Sequence, residues 1–379
     1  MSISLGVAVL IVSFCILRGF QEKIRDKIFN FDSHIQVSSF DLNASFEGPP
    51  ISINTKLYKE AKGIEGVRNI NAIAYQKGIL HANEQVYGVM MKGVSNDYDT
   101  SLFITNLTSG RFIQFDSSVY SREIIVSNKI AKQLDLELNE AFYMYFYING
   151  KLRPKKVSLA GTYETGMEEF DDRVAIVDLA LIQQINGWPD TLVGGYEIFL
   201  NDYHDIDKVA NDVEFLMDYD TQLIKITDKF HYIFDWLDVL LADNVNVLIG
   251  AIVIIVFFNI ISTMYILLME RTPMIGLLKA LGATNKLVHK VFMNLGMKIL
   301  YKGLLIGNVI GLLICFVQYS THLIPLDAET YYMSYVPVRW DWESIVLVNI
   351  ATVFFVVFIL LFPLFVITKI VPIKAIKFN

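Results

Sequence analysis

Cysteine is almost absent: the 379 residues hold two, Cys15 and Cys315, and both fall inside long uncharged runs. The acidic middle of the chain therefore cannot be stapled by a disulfide and must owe its stability to packing. No G-x-x-x-x-G-K-[ST] phosphate loop occurs anywhere, so ATP hydrolysis by the usual route is excluded from this chain. His34, His81, His204, His231, His289 and His322 are scattered, without a pair at zinc-ligand spacing, and read as satisfied or solvated imidazoles. Spacing supports neither a Ser-His-Asp nor a Cys-His constellation. A basic stripe interleaved with aromatics, as a nucleic-acid partner would need, is also missing. The chain is read as a non-enzyme with no metal or cofactor of its own.

What is present is apolar. Hydrophobic residues make up 54% of the sequence, yet the few long apolar runs are too short to account for the whole length, so part of the chain must fold in water. Charge divides it: residues 21–238 carry 21 Lys and Arg against 33 Asp and Glu, a net of −12, and the remainder carries 11 against 6, a net of +5. An acidic soluble domain is thus tied to a basic membrane part.

Four segments qualify as membrane spans, roughly Ile3 to Phe20, Val245 to Met269, Gly303 to Ile324 and Ile345 to Ile370. About 20 apolar residues are needed to cross a hydrocarbon core of ~30 Å. The first run begins at Met1 with no basic flank before it and no small-x-small site after it, which favours a signal anchor over a cleaved signal and suggests a truncated or misassigned start. Arg271, Lys279, Lys286, Lys290, Lys298 and Lys302 put the loop after the second span in the cytoplasm, as Lys369, Lys374 and Lys377 do for the tail. The acidic loop from Pro325 to Glu343 then faces outward with the acidic domain. Tyr331, Tyr332, Tyr335, Trp340 and Trp342 fit either an interfacial belt on that side or the small core of a loop.

The outer domain, roughly Ser33 to Thr227, reads as α+β. Strands are predicted at His34–Ser38, Val67–Tyr75, Ala141–Ile148, Lys156–Tyr163 and Gly195–Leu200. Helices are predicted at Thr55–Lys62, Asn128–Leu134, Leu179–Ile185 and Ile206–Leu216. Both joints to the membrane show helical spacing of apolar residues, Phe20, Ile24, Ile28 and Phe31 at one and Phe230, Ile233, Phe234, Leu237, Leu240 and Leu241 at the other. With no Gly/Ser-rich linker at either, the spans are expected to continue as stalk helices, the alternative being surface helices packed on the outer domain. Glu168, Glu169, Asp171 and Asp172 have the charge to hold calcium, but in a glycine-containing loop they are read as a solvated turn.

The inner loop has its own grammar. Thr272 is placed to cap a helix with Pro273 at its first position, Met274, Ile275, Leu277, Leu278 and Leu281 form an apolar face, Gly282 ends it, and Thr284 restarts a second helix. An exposed amphipathic helix of this kind suits docking into a partner's groove, although one lying in the membrane interface would read similarly.

At these residues the chain resembles a family. The string ERTPMIGLLKALGA from Glu270 to Ala283 is similar to the FtsX/MacB-like (type VII) permeases of ABC transporters, and PIKAIKF from Pro372 to Phe378 resembles their C-terminal signature. LGVAVLIVSFCILRGFQEKIRDKIFNFDSHIQV at the start is most similar to the lipoprotein-releasing LolC/LolE type. The resemblance implies an α-helical protein of the bacterial inner membrane with four transmembrane helices. A large α+β periplasmic domain of MacB-like core type would be inserted between helices 1 and 2. The divisions would be 1–32 (first helix and stalk), 33–227 (periplasmic domain), 228–269 (stalk and second helix), 270–302 (coupling region) and 303–379 (last two helices and tail).

It also implies that Arg271 to Gly282 seats in a separate cytoplasmic ATPase that binds ATP and Mg, with Glu270, Arg271, Ile275, Gly276, Leu277, Leu278, Lys279 and Gly282 at the contact. Met274 departs from the acidic residue many relatives carry before the isoleucine. The implied partners are that ATPase, a second permease protomer, identical or paralogous, a lipoprotein cargo, a periplasmic carrier and membrane lipids. ATP-driven motion would pass along the stalks without cargo crossing the inner membrane. Efflux of drugs or peptides by a MacB-like permease and FtsX-like control of wall hydrolases are the alternatives.

Polar residues inside the spans are the remaining candidates. Asn246, Asn259, Ser262 and Thr263, with Asn308, Gln318 and Asn349, should face protein rather than lipid, either for interhelical packing or, for the first four, to line a substrate cavity between protomers. Asp235, Asp238 and Asp243 would border that cavity or solvate the stalk.

Overall fold

A computed structural model describes residues 2–41, 48–101, 103–115, 120–148, 151–327 and 331–368. The tail lysines and the PIKAIKF string lie outside the described residues. The chain forms two compact units, one of residues 1–23, 235–326 and 334–379 and one of residues 24–234 and 327–333.

The first unit is built from long apolar helices. Helix α1 runs Ser2–Phe31, and its first 22 residues belong here; α9 is Leu241–Ala280, α10 Asn285–Thr321 and α11 Trp342–Thr368. Among the described residues three helices, at Ile3–Phe31, Val245–Thr263 and His289–Thr321, are long and apolar enough to cross a membrane, and Trp342–Phe358 is a shorter apolar helix.

Close approach of α1 to α10 depends on three glycines one turn apart. A Cβ on Gly303 would lie 2.9 Å from Ile3 Cβ, one on Gly307 2.7 Å from Ser4 O, and one on Gly311 3.1 Å from Ala8 Cα. Without a hydrophobic drive between helices in lipid, such small-residue contacts let backbones approach and gain dispersion energy. On another face α10 meets α11 through a closed amide pair: Asn308 Nδ2 donates to Asn349 Oδ1 at 2.6 Å and Asn349 Nδ2 to Asn308 Oδ1 at 2.9 Å. Each amide also donates to its own helix, at Leu304 O and Ile345 O, so all four N–H bonds are used.

The second unit is mixed α+β. In chain order its strands are β1 Ile35–Ser39, β2 Ile51–Ser52, β3 Val67–Ala82, β4 Gln85–Val94, β5 Leu107–Gly110, β6 Glu123–Ser127, β7 Ala141–Ile148, β8 Lys151–Tyr163, β9 Val174–Asp178, β10 Leu192–Val193, β11 Gly195–Leu200 and β12 Thr221–Lys225. Helices α2 Lys56–Glu60, α3 Asn128–Gln133, α4 Glu168–Asp171, α5 Leu179–Asn186, α6 Ile206–Glu214, α7 Ile226–Lys229 and α8 His231–Asp235 complete it. The pairings β3–β4, β4–β9, β9–β6, β6–β8, β8–β7 and β7–β3 close a ring, parallel only at β4–β9 and β6–β8.

Strand β3 serves two assemblies. Its first half pairs with β11, which continues through β1 to β12, and its second half pairs with β7. The ring is packed with Leu80, Val89, Met91, Met144, Phe146, Val157 and Ile176, all buried. Gly78, opposite Val89 in the β3–β4 pair, leaves the space that the end of the Met91 side chain occupies, so a side chain there would have to displace Met91 Cε.

Each predicted strand and helix of the outer domain is present, β7 and β11 with the predicted bounds, while β2, β4, β5, β6, β9, β10 and β12 have no counterpart among the predicted strands. Two expectations are corrected. The second joint is not one regular helix, because Phe230 leaves helical geometry between α7 and α8 and residues 236–240 form a π-helical turn before α9. The two-helix surface element is not separate either: α9 continues through Thr272 and Pro273 to Ala280, so these do not cap a new helix. Pro273 forgoes one hydrogen bond, to the carbonyl four residues back, without ending the helix. Replacing Gly307 with Leu is expected to force α1 off α10 and lower stability by at least about 1–3 kcal/mol. Thermal melting of the purified chain checks this against Gly250→Leu, where nothing lies within 4 Å of the added group and no such loss is expected.

Candidate functional site

Two sites carry the functional argument. The first is the end of α9. Gly282, at φ +91°, breaks the helix in a conformation that side chains disfavour, and Thr284 caps α10 by accepting from Leu287 N. The result is a tight helix–turn–helix tip. Met274, Leu277 and Leu281 share one face and are 42%, 57% and 77% exposed, so an apolar stripe at this tip is uncovered in the chain by itself. Glu270 is exposed beside it. Gly276 and the side chains of Arg271, Ile275, Leu278 and Lys279 lie outside the described set.

The polar residues of the spans separate into two groups. Asn308 and Asn349 pair with each other as above, and Gln318 is buried, bridging Val336 O and Ile324 N. Asn246, Asn259, Ser262 and Thr263 instead lie on exposed faces of α9. Asn259 Nδ2 donates back to Ile255 O and Thr263 Oγ1 to Asn259 O, the local self-satisfaction of polar side chains without a neighbour to bond. Among the described residues, no other element packs over these faces.

The second site is the root of the outer unit, where α1 ends and α7 begins. Lys92 on β4 and Glu197 on β11, 2% and 0% exposed, form an ion pair at 2.8 Å. Lys92 Nζ also donates to Phe31 O at 3.2 Å and to Tyr98 Oη at 3.3 Å, and Tyr75 Oη donates to the same Glu197 oxygen at 3.3 Å. One residue beyond Phe31, Asp32 is buried and pairs with Lys229 of α7 at 2.6 Å. The last turn of α1 is further held by Phe31 ring contacts with Phe170, Tyr163 and Phe103.

Electrostatics follow from burial. Desolvation pushes the Glu197 carboxyl up despite Lys92, and its second oxygen has no hydrogen-bond partner among the described residues. Desolvation, the largest effect, would lower Lys92, but Glu197 with Tyr98, Tyr75 and Asp32 together outweigh it and hold the ammonium charged. Burial would likewise raise Asp32, yet the ammoniums of Lys229 and Lys92 keep it below the ordinary carboxylate range. His34, stacked on Phe29 with its Nδ1 facing Leu200 N at 3.4 Å, is pushed down to about 4 by burial and then by Arg68.

The acidic cluster is not a solvated turn. Asp171 is buried and accepts from Thr165 N, Thr165 Oγ1 and Gly166 N at 2.8–3.0 Å, Asp172 pairs with Lys129 at 2.7 Å, and Glu169 accepts from Tyr232 Oη. These carboxylates organise the turn before β9. The aromatic belt also divides: Tyr331 and Tyr332 belong to the outer unit, and Tyr335, Trp340 and Trp342 to the helical one.

Long apolar helices with a separately folded α+β unit between the first and second define a membrane permease carrying a large extramembrane domain. Residues 1–215 match the MacB-like periplasmic core domain and residues 246–372 the FtsX-like permease C-terminal family. The chain belongs to the FtsX/MacB-like family of ABC-transporter permeases. It is 24% identical over 368 residues to the lipoprotein-releasing system transmembrane protein LolE of Haemophilus influenzae, covering 92% of this chain and 86% of that one. To LolC of Xylella fastidiosa it is 22% identical, covering 100% and 92%. Among solved structures, the periplasmic region of MacB from Actinobacillus actinomycetemcomitans matches with a TM-score of 0.37 at 11% identity, covering 55% of this chain and 95% of that one.

The buried network is not visible in the sequence, because the paired charges, Lys92 with Glu197 and Asp32 with Lys229, lie more than a hundred residues apart and β4, which carries Lys92, has no clear strand signal. Replacing Lys92 with Met should cost about 3–5 kcal/mol by stranding the Glu197 charge, whereas Lys92→Met with Glu197→Gln should recover most of it. Denaturant unfolding of the four members of the cycle measures the difference. For His34 the folded value is depressed below the ordinary 6.5, so the unfolded chain binds the proton more tightly as pH falls from 6.5 to 4. Stability should drop by roughly 3 kcal/mol across that window. Hydrogen exchange of the β1 and β11 amides at pH 7 and pH 4.5 reads the drop, and His34→Gln should flatten it.

Proposed function

We propose that the chain is the permease subunit of an ABC transporter that releases lipoproteins from the inner membrane for transfer to the outer membrane, with ATP and Mg bound on a separate cytoplasmic subunit. Four spans, the fourth being α11, place the α+β unit in the periplasm and the tip after α9 in the cytoplasm. Residues 270–282 then form the coupling element, with Met274, Leu277 and Leu281 as its docking face. Closure of the ATPase pushes this tip, and the motion reaches the outer domain through α1 and the α7–α9 path. A second permease supplies the surface that faces Asn246, Asn259, Ser262 and Thr263. The observation that carries the reading is that relatives named as lipoprotein-releasing match over nearly the whole chain rather than over one domain.

The energetics suit the task. Each buried acyl CH₂ is worth about 0.8 kcal/mol, so lifting a multiply acylated anchor out of a bilayer needs external work, and a lateral route spares the cargo a pore. Replacing Leu277 with Asp should abolish co-purification of the ATPase while leaving membrane insertion intact. In proteoliposomes it should also abolish ATP-dependent release of a lipoprotein to a soluble carrier. Unchanged co-purification would reject the docking face, and capture of a wall hydrolase in place of lipoprotein would reject the cargo.

A further inference from the structure

The outer ends of α1 and α10 and the segment 335–342 build a cleft that the transport reading leaves unused, all of it within the helical unit. Its floor is fixed. A Cβ on Gly19 would lie 2.7 Å from Pro337 O, Arg339 N donates to Cys15 O at 3.1 Å, and buried Gln318 donates to Val336 O at 3.0 Å. Residues 336–339 are thereby held against α1 on one side and α10 on the other. The cleft measures about 390 Å³ and is lined by Glu22, Lys23, Tyr319, His322, Tyr335 and Arg339 among others. His322 closes one wall in the left-handed conformation, at φ +49°, with its ring 3.9 Å from that of Tyr335.

Next to the cleft runs an open apolar trough of about 540 Å³, lined by Leu312, Leu313, Phe316, Trp340 and Trp342. Positions 312, 316 and 319 follow one face of α10, so trough and cleft are successive stretches of one groove, joined where the rings of Tyr319 and Trp340 stand 6.3 Å apart. Trp340 and Trp342 stack at 6.2 Å beside it. The cleft carries both signs of charge. Arg339 Nε pairs with Glu22 Oε2 at 2.9 Å, while Lys23 is exposed and forms no ion pair among the described residues.

We propose that this groove is a specific site for a glycerophospholipid with an amine-bearing, zwitterionic headgroup. The proposal rests on the membrane placement above. The phosphodiester meets Lys23 and Arg339, the ammonium meets Glu22, and an acyl chain lies along Leu312, Leu313 and Phe316 against the two indoles. Charge complementarity favours the zwitterion: the phosphodiester answers Lys23, and a headgroup ammonium adds a second cation beside the Glu22 carboxylate that Arg339 already pairs, which an amine-free anionic lipid does not supply. The indoles suit the boundary between chain and headgroup, where an apolar body and a polar N–H are both satisfied. A free phosphate would use the cleft and leave the trough; a lipid of the general annulus would use the trough and ignore the cleft.

The test takes the full chain with its co-purifying subunits in phosphatidylethanolamine nanodiscs containing a trace of the same lipid with a photoactivatable acyl chain, and maps the labelled peptides without ATP or cargo. Labelling should concentrate on the α10 peptide around Leu312–Phe316 and fall several-fold in Lys23→Glu, less in Lys23→Gln, and several-fold in Trp342→Ala. Lys286→Glu, at the opposite end of α10, should leave it unchanged. Labelling spread evenly over α9, α10 and α11, or indifferent to Lys23, would overturn the site. Equal labelling in phosphatidylglycerol nanodiscs would overturn the zwitterion, and competition by inorganic phosphate alone would overturn the acyl trough. Because no turnover is read, failure here leaves the transport reading standing, and failure of lipoprotein release leaves this site standing.

Discussion

The buried ion pair of Lys92 and Glu197 organises the root of the outer unit. An ammonium taken out of water is tolerable only if its donors are met, and here they are met by a carboxylate from β11, a phenol from Tyr98 and the carbonyl of Phe31 at the end of α1. Three parts of the unit that are distant in sequence thus share one charge. Asp32 and Lys229 extend the arrangement to α7, the segment by which the chain leaves the sheet for α9. The two points where the sheet is joined to the rest of the chain are therefore both fastened by buried charge, on a background of Phe31, Tyr163 and Phe170 packing.

The helical unit is held by a different chemistry, as its solvent requires. Lipid offers no hydrophobic gain for bringing helices together, so contact has to come from close backbones and from polar groups with nowhere else to go. Gly303, Gly307 and Gly311 supply the first between α1 and α10, and the Asn308–Asn349 pair supplies the second between α10 and α11. Among the described residues nothing comparable covers the outward face of α9 that carries Asn259 and Thr263, or the stripe of Met274, Leu277 and Leu281 at its tip. Those two exposed surfaces are where assembly with other chains is expected.

Legibility followed the range of the interactions. Strand β11 alternates few signals but is a short apolar run opened by Gly194–Gly195 and closed by Asn201–Asp202, and β7 alternates over its whole length; both are readable from neighbours in sequence. Strand β8 begins earlier than predicted because its first residues, Lys151 to Lys155 with Pro154 among them, are exposed and look like a loop until β7 is placed beside them. Strand β4 has glycines at 88 and 93 and no period-two pattern, so it was missed, and with it Lys92. The Thr272–Pro273 pair is a valid start signal for an isolated helix, but a helix already propagating from Leu241 needs no nucleus and ran through it. Asn308 and Asn349 could be expected to face protein, and they do; for Asn246, Asn259, Ser262 and Thr263 the same rule has no outcome within a single chain.

A charged root is an odd choice if stability alone mattered, since a well-packed apolar trio of similar volume is often as stable as a buried ion pair or more so. What the ion pair adds is discrimination. An apolar contact between the end of α1 and the sheet would survive a rotation of the helix by part of a turn, because hydrophobic burial has no direction. The carbonyl of Phe31 can meet Lys92 only in one rotation and one rise of the helix, and a slip would leave a buried ammonium and a buried carboxylate unmatched. That intolerance of slippage fixes how the end of α1 meets the sheet, and it is what the desolvation cost secures.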